Sequence, residues 1–202
     1  MNDIREYDII FLYGGHKPER LEHMCNMLSK LKLKYDYHEG VSHLGDISAA
    51  TSFINLLEKR LSVPFKPFIF LEDDCSPTEW FRYHINIPTD ADAVYLGISE
   101  YGMFNNRAVK YVIREDVNDE ISRVFNMLST HAILFHTETW TKNVLECLKK
   151  TITNQIFPYK PRDFDILCAI SMSNFKVYAL RRPLFYQDEK MGGQQEPTLI
   201  EF

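Results

Sequence analysis

The sequence has no apolar run near the roughly 20 residues that a membrane-spanning helix needs, which excludes an integral helical membrane protein as the expected class. It has no basic stretch, and its formal net charge is −5, so nucleic acid is not expected as the main partner. Its four cysteines, Cys25, Cys75, Cys147 and Cys168, show neither paired nor metal-like spacing. A disulfide scaffold and a zinc finger are thereby excluded, and free thiols in a reducing, cytoplasmic compartment are expected. The start, Met1-Asn2-Asp3-Ile4-Arg5-Glu6, lacks the apolar core of a signal peptide. Repeats, low-complexity segments and an internal linker are also missing.

What remains is the composition of an ordinary soluble globular protein, 45% hydrophobic and 25% charged. The 202 residues fit one domain, which at this size buries about 70% of its unfolded surface. Aromatic content of 13% suits a ligand cleft and equally a large core.

The most informative stretch is Pro67-Phe68-Ile69-Phe70-Leu71-Glu72-Asp73-Asp74. A short, continuous apolar run bounded by a turn predicts a strand buried on both faces. Three carboxylates then stand at its C-terminal end, the edge where ligands bind in open α/β sheets. Adjacent carboxylates repel, so something must offset their charge, and a divalent cation suits hard oxygen ligands. The alternative is a solvated acidic turn.

Around it the pattern alternates. Tyr7 to Tyr13 predicts a strand, and Gly14-Gly15-His16-Lys17-Pro18 breaks it. Leu21, Met24, Leu28 and Leu31 predict a helix over 19–31, with Pro18 in its first turn. Lys34 to His38 predicts a strand, and Phe53, Ile54, Leu57 and Leu61 a helix over 47–61. With the acidic strand this is β-α-β-α-β, the opening of a parallel α/β sheet. Further on, a helical turn is expected over 78–84 and a strand over 93–98, which contains Gly97. Segments 108–113 and 121–127 should form an antiparallel hairpin. A strand over 131–135, helices over 137–150 and from Asp163 to Ile170, and a last strand over 176–180 follow. The polar tail from Gln187 to Pro197 contains Gly192-Gly193 and is expected to be mobile, ordering over a bound ligand as a lid does.

Three further constellations could carry chemistry. Glycines after the first strand let backbone approach a ligand, and the helix behind them favours anions, so Gly14, Gly15 and Arg20 are candidates for a phosphate or a base carbonyl. Asp163 and Asp165, around the start of a helix, are each an N-cap or a general base at the cleft rim. In Ser129-Thr130-His131 the histidine is either structural or a ligand contact.

The Gly-rich first turn, the Ser/His loop before the second helix, FIFLEDD, STHAILFH, RDFDIL and VYALRRPLFYQ stand in an order that resembles the GT-A-fold glycosyltransferases. The small type typified by lipooligosaccharide and procollagen galactosyltransferases is the most similar, and the compact length is similar to a chlorella-virus capsid-glycan domain. The resemblance implies a single GT-A-like, Rossmann-like domain with a mostly parallel central sheet flanked by helices. Its nucleotide-binding half would cover about 1–98 and its acceptor half about 99–202. It implies transfer of a hexosyl group from a nucleotide-diphosphate sugar, a UDP-sugar by preference, to a glycan hydroxyl with Mn2+ or Mg2+ as cofactor, and inversion at the sugar. The domain could belong to a larger polypeptide, in a host cytoplasm if the source is viral. By the same resemblance Glu72 and Asp74 take the outer places of the D-x-D element, and Asp74 binds metal. Tyr13, Gly14, Gly15, Arg20, His38, Asp73, Gly97 and His131 fall where the nucleotide sugar is held, and Asp163 or Asp165 acts as base. Two departures matter. By the resemblance the base falls on Asp163, but Arg162 stands where the family often has an acid, so the base could be Asp165. The other departure concerns the metal. Many members supply a late histidine to the metal, but none follows His136 here, which leaves Asp188 as the substitute. Two other classes compete: a nucleotidylyltransferase, for which Gly14-Gly15-His16-Lys17 is a poor loop, and a non-catalytic nucleotide-sugar-binding module.

Overall fold

The computed structural model describes residues 1–15, 17–44, 47–105, 107–153 and 164–192. Its frame is one eight-stranded sheet built from β1 (Asp8–Tyr13), β2 (Tyr35–Glu39), β3 (Phe68–Glu72), β4 (Ala93–Tyr95), β5 (Arg114–Asp116), β6 (Ile121–Val124), β7 (Ala132–Phe135) and β8 (Val177–Leu180). The spatial order is β5-β6-β8-β4-β7-β3-β1-β2. β1 runs parallel to β2 and to β3, and β8 runs parallel to β4. β7 is antiparallel to both of its neighbours, β3 and β4, so those two point the same way. The carboxyl ends of β1, β3 and β4 therefore share one edge. This is a mixed α/β architecture of the kind the sequence pattern predicts, with six of the eight strands pointing the same way and the antiparallel pairings confined to those of β6 and β7.

Helices α1 (Pro18–Lys30), α2 (Ser48–Leu61), α3 (Glu138–Ile152) and α4 (Phe164–Ser171) cover the sheet. Pro18 opens α1, where its missing N–H costs nothing. Thr137 caps α3 by accepting from the Trp140 amide at 3.3 Å. The period-two alternation of β3 divides its side chains between two cores. Phe68 and Phe70 join Phe53 and Leu57 of α2, Trp140 and Leu148 of α3 and Leu167 of α4. Ile69 and Leu71 join Met24 and Leu28 of α1 on the other face. Phe53 stacks on Phe70 at 4.1 Å and Phe68 on Phe135 at 4.9 Å between ring centroids. Burying each such ring contributes about 1.5–3 kcal/mol, so β3 is firmly anchored up to the point where its acids begin.

Three elements differ from the expected pattern. Residues 78–84 form no helix, because His84–Ile85 pairs instead with Asn2–Asp3. The hairpin exists, but β5 rather than segment 108–113 is its first strand, and Arg107–Val109 pairs with Gly102–Phe104. The tail is structured as far as it is described. Phe185–Gln187 pairs with Cys75–Pro77, and Asp188 caps a short 3-10 turn over Glu189–Met191. The remainder of the expected lid, 193–197, lies outside the described residues. All four cysteines are free thiols. No helix among the described residues is long and apolar enough to cross a membrane.

Candidate functional site

Beyond Leu71 the alternation of β3 continues into its acids. Glu72 falls on the face of α2, α3 and α4. Asp73 turns toward α1, and Asp74 completes the turn before Cys75. Glu72 is thus sent to neutral donors of its own, while Asp73 and Asp74 share Arg20.

The Glu72 carboxylate is held by neutral donors. Thr130 Oγ1 donates to Oε1 at 2.7 Å, and Gln187 Nε2 donates to Oε2 at 3.0 Å. Burial, reinforced by the charge of Asp74, pushes its pKa from the usual 4.5 up to about 8. Asp165, in the first turn of α4, adds to the same upward push, so its charge is felt at Glu72.

Asp73 is spent on the protein itself. The Gly14 amide donates to Oδ2 at 3.0 Å, and Arg20 Nη1 donates to Oδ1 at 2.6 Å. Asp74 Oδ2 lies 3.5 Å from Arg20 Nη2. Asp74 Oδ1 is buried and meets no hydrogen-bond partner among the described residues. Burial raises the Asp74 pKa in spite of the guanidinium and of the hydrogen bonding that Gln187 and the Asp74 amide offer the carboxylate. A buried carboxylate oxygen without a donor is costly. This is the atom in the acid turn that calls for a ligand.

The glycine path lies alongside. Tyr13, nearly buried, accepts the Gly40 amide at 2.8 Å through its carbonyl. Gly15 takes φ +77°, a backbone region suited to glycine. A Cβ on Gly40 would stand 2.7 Å from Ser52 Oγ, which itself accepts from the Val41 amide at 2.9 Å. The loop after β2 is therefore pinned against α2, close to the turn after β1. His38 is half-buried in the edge strand β2, in register with Leu12, and burial lowers its pKa.

Several expected roles change. Arg20, expected to reach a phosphate, is engaged at all three guanidinium nitrogens. Besides the two acids, its Nε donates to the Met191 carbonyl at 2.7 Å. The repulsion that the sequence assigns to a cation is offset here by this arginine. Asp188, the expected late metal ligand, does arrive beside the turn, its amide donating to the Asp74 carbonyl at 2.8 Å. Its carboxylate, however, accepts from Ser76 Oγ at 2.9 Å and from the Lys190 amide at 2.9 Å. Gly97 and His131, expected among the donor contacts, form a buried pair. A Cβ on Gly97 would stand 2.0 Å from His131 Nε2, and Ser129 Oγ lies 2.5 Å from the other ring nitrogen. Burial lowers the His131 pKa to about 4, so the ring is neutral, and its Nε2 meets no hydrogen-bond partner among the described residues. Asp163 lies outside the described residues.

Two residues that hold the site escape sequence reading. Thr130 stands in STHAILFH, where the histidine draws attention, and Gln187 stands in a stretch that reads as a loose tail.

The metal implied by the resemblance can be tested against these positions. Among the described residues no three His, Cys, Asp or Glu side chains are grouped to hold an ion. The buried Asp74 Oδ1, donorless among the described residues, fits a cation held by one protein carboxylate and completed by ligand oxygens, as Mg2+ or Mn2+ is at phosphate sites. It does not fit a cage made by the protein alone.

No protein-family model matches the sequence, and no curated protein matches it. Among solved structures, the chain is similar to the CTP:phosphocholine cytidylyltransferase of Streptococcus pneumoniae at 11% identity and a TM-score of 0.48, over 92% of this chain and 75% of that one. It is similar to a nucleoside-diphosphate-sugar pyrophosphorylase of Vibrio cholerae at 11% identity and a TM-score of 0.46, over 87% and 73%. It is also similar to a glycosyltransferase involved in glycosylating the major capsid of PBCV-1, at 10% identity and a TM-score of 0.43, over 92% and 98%. Likeness this distant assigns no activity to the chain.

Proposed function

We propose that the chain is a metal-dependent glycosyltransferase that moves a hexosyl group from a nucleotide-diphosphate sugar, preferentially a UDP-sugar, to a glycan hydroxyl. The observation that carries this reading is Asp74, whose buried Oδ1 meets no donor among the described residues and stands at the carboxyl edge of parallel strands. Mn2+ or Mg2+ bound there would offset charge on the departing diphosphate. Asp74 Oδ1 would hold it, with the remaining positions left to phosphate and water oxygens.

The residues around it divide the other tasks. Gly14 and Gly15 let a nucleotide approach the backbone, and Gly40, packed against Ser52, holds the neighbouring loop in place. Glu72, fixed by Thr130 and Gln187, is an acceptor for a ribose or sugar hydroxyl, or for a metal-bound water. Asp165, whose charge is felt at Glu72, would take the proton of an acceptor hydroxyl, and Asp163 is the other candidate for that base. Displacement by a deprotonated hydroxyl on the face opposite the diphosphate would invert the sugar.

The test is incubation with a panel of nucleotide sugars, with Mn2+ and with EDTA. Slow metal-dependent release of free nucleoside diphosphate supports the proposal. Consumption of pyrophosphate to give nucleoside triphosphate identifies a nucleotidylyltransferase, and binding without turnover a non-catalytic module.

A further inference from the structure

Arg20 sits in the first turn of α1 with its side chain 13% exposed, and its three guanidinium nitrogens are shared among three groups. Nη1 donates to Asp73 Oδ1 at 2.6 Å, Nη2 faces Asp74 Oδ2 at 3.5 Å, and Nε donates to the Met191 carbonyl at 2.7 Å. Gly192 follows at φ +81°, and a Cβ there would lie 3.2 Å from Arg20 Nη2 and 3.1 Å from Lys17 Nζ. Gly192, which closes the 3-10 turn, thus lies against two cationic groups.

The consequence is electrostatic. A bare divalent cation on Asp74 Oδ1 would approach the guanidinium that already neutralises the other oxygen of that carboxylate. Its attraction to Asp74 is opposed by like charge a few ångströms away, in a poorly solvated place where screening is weak. A cation that arrives joined to a diphosphate meets the opposite situation. The phosphate oxygens bring negative charge, and the fork of an arginine is suited to receive them. The long contact to Asp74 is the one such a ligand can most readily replace, because Asp73 retains the shorter one.

We propose that Arg20 is an internal counter-cation that makes the acid turn select a cation already joined to a nucleoside diphosphate over the bare cation. The inference rests on the glycosyltransferase reading of the same site and adds the order of binding. The metal enters with the nucleotide, and bare metal binds weakly. Arg20 therefore acts on selectivity with opposite signs for the two ligands. A merely structural arginine would affect both in the same direction.

Calorimetry on the full chain tests this. Wild type, Arg20→Gln and Arg20→Met are titrated with MnCl2 alone, and then, in saturating Mn2+, with whichever of UDP, CDP, GDP and ADP the wild type binds. Thermal melts confirm folding, and Arg20→Met retains the stem if the polar variant does not fold. Removing the charge should tighten bare Mn2+ roughly tenfold and weaken the Mn2+-nucleotide complex at least tenfold, the scale of one neighbouring charge. Arg20→Lys, which keeps the charge, should leave bare Mn2+ binding within about threefold of wild type. Unchanged bare Mn2+ affinity in the neutral variants, or both affinities moving together, overturns the counter-cation. A wild type that binds no nucleotide with Mn2+ overturns the underlying functional reading instead.

Discussion

Gln187 donates its side-chain amide to Glu72 Oε2 at 3.0 Å, joining the last described strand to the acid turn across 115 positions of sequence. The register of Phe185–Gln187 against Cys75–Pro77 places it there, Gln187 opposite Cys75. The end of the described chain is thus part of the site floor. Gln187→Ala leaves a partly buried carboxyl oxygen of Glu72 without its donor, and should lower stability by about 1–3 kcal/mol. Urea unfolding at neutral pH measures it, and an unchanged midpoint would show that water replaces the amide at no cost.

Glu72 makes stability depend on pH. Its folded pKa is raised from 4.5 to about 8, so between those values the folded state holds a proton that the unfolded state has released. The folded chain then binds more protons, and stability falls as pH rises through this window, by at most about 1.4 kcal/mol per pH unit. Below the lower value both states are protonated, and the effect vanishes. Buried His131, whose pKa is lowered from 6.5 to about 4, acts in the opposite sense below pH 6.5, because there the unfolded state binds the extra proton. Melting temperatures of the metal-free protein should therefore decline from about pH 6.5 to 8, and Glu72→Gln should flatten that decline. A wild-type curve that rises from pH 6.5 to 8 contradicts the assigned environment.

Much of this fold is legible in the sequence because its strands are short, apolar and punctuated. FIFLEDD states its own burial, its end and its edge. The antiparallel direction of β7 and the pairing of Phe185–Gln187 are not legible, since both are set by contacts between distant segments. Arg20 shows the same limit within the site. Glycines followed by an arginine at a helix start look the same whether the guanidinium meets a ligand or a carboxylate 53 residues away. Gly97 is likewise ambiguous until the His131 ring is seen against it.

That pair gives a packing prediction. Gly97→Ala would drive a methyl group into the His131 ring, for an overpacking cost of about 1–3 kcal/mol. His131→Ala should relieve part of it, so the double variant should be less destabilised than the sum of the two single ones. Simple additivity in thermal melts would mean that the backbone shifts to admit the methyl without the ring.

Asp165 carries the catalytic prediction. Asp165→Asn should bind the donor as wild type does and transfer roughly 10²–10⁴-fold more slowly, the share of a general base. The same comparison for Asp163→Asn separates the two acids. Wild-type transfer rates in both variants would place the base elsewhere or make the reaction retaining.

The central claim concerns one atom, Asp74 Oδ1, and one measurement meets it most directly. Binding of nucleoside diphosphate is followed by calorimetry in wild type and Asp74→Asn, each with Mn2+ and with EDTA. The account predicts that wild-type affinity falls by an order of magnitude or more when Mn2+ is removed, and that Asp74→Asn, still folded by its melting curve, shows the weak value under both conditions. A wild type that binds equally well in EDTA, or an Asp74→Asn variant with full Mn2+ dependence, would contradict it.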